Sequence, residues 1–264
     1  MMDAIVQGFP IFLLIFCRIT AFFVVAPIFA FRNLPNTFKI GLGFFISLLV
    51  FLTYGFSQTV ITDATYVLMI IREILIGLAM GFVVYLFFAV VQAAGGFMDM
   101  QIGFAMANVI DPVTGSSAPL LGNFKYMLAM MLFLMMDGHH YLLNALMGSY
   151  SWLPLDNEVY AHFADGRISD LLLRLVGNTF LLSLQVAAPI IVAMFLTDVG
   201  MAFLAKTAPQ FNIFVIGIPL KLLIGLALLM LIMPEIATLF SHLFSIMFDS
   251  LEKLFAVMQG KSGT

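Results

Sequence analysis

Between two long apolar runs, residues 95–124 read GGFMDMQIGFAMANVIDPVTGSSAPLLGNF, and this interruption constrains the fold more than any other stretch. Asp99, Gln101, Asn108 and Asp111 break the apolar pattern, together with several glycines and two prolines. Backbone that is neither helical nor part of a closed sheet cannot face lipid, because each unpaired N–H or C=O would cost several kcal/mol. The segment must therefore be buried in protein, line a water-filled cavity, or lie outside the membrane. It still carries Phe97, Met98, Met100, Ile102, Phe104, Met106, Val109 and Ile110, which a solvated loop would not usually hold. Two readings stay open on these residues alone: an apolar, methionine-bearing loop that seals a pore, and a re-entrant connector.

The flanking runs set the class. Only 9% of the 264 residues are charged and 63% are hydrophobic, against about 25% charged in an average soluble domain. This composition predicts an integral membrane protein with little extramembrane mass. The net charge of −3 and the lack of a basic stripe argue against nucleic acid. The single cysteine, Cys17, lies in an apolar run and reads as a small core side chain. Asp3 is the only charge before Arg18, so the N-terminus lacks the basic stretch of a signal peptide and the first run is expected to remain as a helix.

In chain order, Gly8–Phe31 forms the first run, broken by Arg18, and the basic connector FRNLPNTFK reads as cytoplasmic. Ile40–Phe56 is just long enough to span about 30 Å of hydrocarbon. Ala64–Phe97 is too long for one simple span; Gly77, Gly81, Ala89 and Ala93 give it a small-residue face suited to close helix packing. After the central segment, Ser117 is the expected cap of a methionine-rich helix with Pro119 in its first turn. Residues 156–170 are the most polar stretch, and Asp170 and Arg174 have the spacing of a helical ion pair. Leu171–Ala205 and Phe211–Met258 follow, with kinks or breaks expected at Pro189, Pro219 and Pro234. Loop charges place the N-terminus outside and the C-terminus inside.

Chemistry-bearing motifs are missing. No Walker loop, dinucleotide fingerprint, nucleophile elbow or metalloprotease motif occurs. His139 and His140 are adjacent, and neighbours on a helix point about 100° apart, so they are not expected to share a metal ion. The chain reads as non-enzymatic, with no cofactor and no metal. Charges inside apolar runs are costly and mark functional or pairing positions: Arg72, Glu73, Asp198, Lys206 and Lys221.

At the central segment the sequence becomes specific. That run, the following LFLMMDGHHYLLNAL and the N-terminal FCRITAFFVVAPIFAFRNLPNTFKIGL resemble the FliR family of flagellar export proteins, which includes counterparts in virulence type III secretion. The resemblance covers essentially the whole chain, and GFAMANVIDP looks closer to flagellar members. It implies an all-α membrane protein of long kinked helical hairpins, with a FliP-like portion over 1–155, a polar connector over 156–170 and a FliQ-like hairpin with tail over 171–264. It implies a structural and gating subunit of the flagellar type III export channel in the bacterial inner membrane, within the flagellar basal body. Expected partners are FliP-type and FliQ-type subunits, further export-apparatus components, unfolded exported proteins and lipid. The family's plug corresponds to the central loop, about 99–121. Phe104, Met106, Val109 and Ile110 are its sealing side chains, and Gly103, Pro112 and Gly115 shape it. The five charges above would then pair across subunit interfaces. Family members sit largely outside the bilayer plane, which sets the loop-charge topology in question. A small-molecule or ion transporter is the alternative, with Asp198 or Lys221 in its substrate site; a hydrolase using His139 and His140 is a weaker one.

Overall fold

A computed structural model describes residues 2–31, 35–55, 65–104, 119–155, 166–210 and 212–260. Among them every regular element is helical, and the protein is an all-α membrane protein. The elements are α1 (Met2–Val25), α2 (Asn36–Tyr54), α3 (Thr65–Ile102), α4 (Leu120–Met135), α5 (Gly138–Trp152), α6 (Arg167–Thr207), α7 (Ile213–Ile232) and α8 (Ile236–Met258). Among the described residues five helical stretches are long and apolar enough to cross a membrane, or six if α4 and α5 count as one broken span.

Several expectations change. Residues 95–102 are the last turns of α3 rather than irregular chain, which makes α3 a 38-residue helix of about 57 Å. Buried Met98 and Ile102 carry the apolar face that far, with Asp99 buried beside them. Pro189 and Pro219 lie inside α6 and α7 and end neither helix, whereas Pro234 sits in the 3-10 turn Met233–Glu235 between α7 and α8.

The chain gathers into two compact units, one of Met1–Leu86, Met136–Val176 and Phe244–Thr264, the other of Phe87–Met135 and Gly177–Leu243. Each therefore takes segments from both sides of residues 156–170.

In the first unit α1 lies against the small-residue face of α3. A Cβ on Gly77 would stand 2.3 Å from the Arg18 carbonyl oxygen, and one on Gly81 would stand 2.9 Å from Val25 Cβ. Glycine is what allows the two backbones to meet. Phe12 packs edge-on to Phe44 and Phe51 of α2. The exposed pair Asp170–Arg174 closes at 2.9 Å, as its spacing predicts.

In the second unit the core is Ala94, Met98 and Ile102 of α3, Leu121 of α4, and Ala187, Ile190 and Met194 of α6, with Leu222, Leu228 and Leu229 of α7 packed against it. Phe88 stands edge-on to Tyr126 and Phe133 of α4. Gly225 lets α7 close on Ile102, since a Cβ there would come within 2.8 Å of that side chain.

Candidate functional site

The central loop is held by its two ends, and the described residues show how. At the first end, α3 closes with the Gly103 N–H donating to the Asp99 carbonyl at 3.1 Å. Gly103 then takes φ +104°, a conformation that needs glycine and stops the helix. Phe104, the next residue, is half-buried and packs against the core of the second unit.

The second end is the N-terminus of α4, whose first N–H groups have no partner within the helix. Asp99 supplies one from α3. Its carboxylate accepts from the Leu121 N–H at 3.1 and 3.0 Å and from the Gly122 N–H at 3.4 Å, with only 3% of the residue exposed. A carboxylate at a helix N-terminus also faces the positive end of the helix dipole, which helps to offset its burial. One turn further on, the buried Lys125 directs its Nζ to Met98 Sδ at 2.8 Å. The backbones meet here as well: a Cβ on Gly95 would lie 2.3 Å from Gly122 Cα. Asp99 and the Gly95–Gly122 contact thus clamp α3 to α4 immediately before and after the loop.

Four of the five charged positions, Arg72, Glu73, Asp198 and Lys221, have partners within the chain. Arg18, Arg72 and Glu73 are fully buried in the first unit. Glu73 accepts from Arg18 Nε at 2.6 Å and lies 2.9 Å from an Arg72 guanidinium nitrogen. Backbone carbonyls just past the end of α5, a hydroxyl and a ring also surround the two guanidinium groups. Arg18 donates to the Ser149 hydroxyl at 2.9 Å and the Leu153 carbonyl at 3.0 Å and stacks 4.0 Å from the Tyr150 ring, while Arg72 donates to the Pro154 carbonyl. The C-terminal end of α5 carries the partial negative charge this arrangement needs. In the second unit Lys221 and Asp198 pair at 2.9 Å across α7 and α6. Lys206 is exposed in the last turn of α6, where a cation suits the helix dipole.

The family described as bacterial export proteins, family 1, matches residues 9–247. The chain belongs to that family. Among its relatives, the flagellar biosynthetic protein FliR of Bacillus subtilis (strain 168) is 36% identical over 257 residues, covering 97% of this chain and 99% of the relative. FliR of Escherichia coli (strain K12) is 33% identical over 235 residues, covering 89% and 88%. The Yop proteins translocation protein T of Yersinia pestis is 28% identical over 265 residues, covering 97% and 98%.

Of the positions singled out in this export-family sequence, Gly103 and Phe104 fall at the loop stem. Met106, Val109, Ile110, Pro112 and Gly115 lie outside the described residues, as does Ser117. Sequence reasoning missed Asp99 as the partner of the α4 N-terminus, because the N–H groups that donate to it are 22 and 23 residues away. It also passed over Arg18 as the centre of a buried cluster. The available signal was an arginine in an apolar run, which must find a partner.

Proposed function

We propose that this chain is a structural and gating subunit of a flagellar type III protein export channel. Its central loop, Gly103–Leu120, closes the path of unfolded flagellar proteins. The observation that carries the reading is the end-to-end similarity to proteins named for flagellar biosynthesis, at higher identity than to the virulence counterpart. The stem geometry supports it: a loop that withstands pressure from a channel needs rigid ends, and both ends here are clamped within one unit. Its partners are FliP-type and FliQ-type membrane subunits in the inner membrane part of the flagellar basal body. The 1–155 portion stands in for a FliP-like fold and 171–264 for a FliQ-like hairpin. Catalysis has no part in this role, since the energy comes from other components.

The surface agrees with life in an assembly. Leu120, Phe124, Met127, Met131 and Met135 are all exposed and follow one another by three or four residues along α4. Such spacing makes one apolar face of the helix. Among the described residues nothing covers it, and neighbouring subunits are the proposed cover.

The test is the mass of the complex recovered in mild detergent when the tagged chain is co-expressed with its genomic neighbours. One copy of this chain in a large assembly with two other small membrane proteins is the expected result. A monomer or homodimer that takes up a small solute by itself would replace the export reading with the transporter.

A further inference from the structure

We propose that Asp137, His139 and His140 form a binding site for a late first-row divalent metal ion, with zinc the best match. Helical spacing argued against a shared ion, because adjacent side chains diverge by about 100°. The structure brings them together. The imidazole centroids are 4.3 Å apart with rings tilted by 40°, and one ligand atom from each of the three residues lies within 4.8 Å of the others. The reason is position. Both histidines sit in the first turn of α5, where no earlier turn of that helix crowds their side chains into separate directions.

Two further observations point to a ligand. Asp137 stands at the N-cap of α5, where an aspartate ordinarily accepts a hydrogen bond from the first turn. Here its backbone is left-handed, at φ 56° and ψ 24°, and its side chain makes no cap bond. The backbone carbonyl does that work instead, accepting from the His140 N–H at 2.9 Å. The carboxylate is thus left for another task. Second, His139 Nδ1 is buried with no hydrogen-bond partner among the described residues. A buried polar atom in that state is costly, and ligation of the ring can relieve the cost.

The donor set decides the ion. Two imidazole nitrogens and one carboxylate oxygen suit zinc and its neighbours, while magnesium and calcium prefer oxygen throughout. Tetrahedral zinc–nitrogen bonds of about 2.05 Å put ligand atoms about 3.3 Å apart, so modest side-chain rotation closes the observed cluster. Three protein ligands leave a fourth position for water or for a group from another subunit. The positive end of the α5 dipole opposes a cation, and the Asp137 carboxylate offsets it. Bound there, the ion would fix the left-handed break that precedes α5. The proposal does not depend on the export reading.

The experiment uses the full chain, purified in detergent with a tag that contains no histidine, stripped with chelator and titrated with zinc alone. Zinc per chain is read by elemental analysis and affinity by calorimetry. Asp137→Asn and His140→Ala alter exposed residues, so a folding defect does not imitate loss of the site. The expected result is one zinc per chain. Each variant should weaken binding at least by the roughly tenfold that loss of an outer-shell contact can cost. Equal zinc content in the wild type and the double variant, or unchanged affinity in both single variants, overturns the site.

Discussion

A single carboxylate holds the first unit's buried charges together. Glu73 bridges Arg18 and Arg72 where none of the three is exposed, so its neutralisation takes away the carboxylate that both guanidinium groups touch. Breaking a buried pair from one side typically costs about 3–5 kcal/mol. Glu73→Gln keeps the shape of the side chain and removes only the charge. It is expected to lose stability of that order, read as a lower thermal unfolding midpoint of the detergent-purified chain. An unchanged midpoint would mean that the other partners of the two arginines suffice to hold them. None of this depends on the export reading, and the same cluster would anchor α1 and α3 to the end of α5 in any role.

At the level of elements, the approach of α3 to α4 decides where the loop begins and ends. Gly95 is required there by contact rather than by conformation, since it sits in a helix and a Cβ would meet Gly122 Cα at 2.3 Å. Gly95→Val must push the helices apart, and overpacking of this kind costs about 1–3 kcal/mol. Gly200 in α6 offers the matched control, with no atom within 4 Å of an added Cβ. Gly200→Ala should be neutral or stabilising by up to about 1 kcal/mol. Thermal unfolding of the two variants side by side checks the contrast. A similar response in both would mean that helix propensity, not contact, governs Gly95. The first half of α3 was legible in sequence as a small-residue face, and Gly77 and Gly81 indeed meet α1. The Gly95–Gly122 contact was not, because it needs the partner helix.

Among the described residues each unit leaves large apolar side chains exposed, Phe44 and Phe45 on α2 in one, and Phe195 and Phe203 on α6 with Leu223 and Met230 on α7 in the other. Exposed apolar side chains in such number on each unit call for lipid or other subunits to cover them. In the proposed gate, function belongs to the assembled channel. Replacing Phe104, Met106, Val109 and Ile110 with glycine is expected to make the assembly leak ions, measured as membrane conductance in cells or in reconstituted bilayers. Conductance equal to that of the unaltered channel would reassign the loop to positioning its neighbours.

By itself the sequence determined the class, the helical spans and the resemblance to an export family, because hydropathy, proline and glycine placement and long motifs are local or linear properties. It also identified Arg72, Glu73, Asp198 and Lys221 as charges in need of partners. Only the tertiary structure decided who those partners are. Arg18 reaches Glu73 across 55 residues, and Asp99 caps a helix 22 residues on. Likewise, the periodicity of α5 separates His139 from His140, and only its first turn brings their rings to 4.3 Å. A buried charge states its need in sequence, but which group meets it depends on backbones brought together by packing, and no local pattern encodes that.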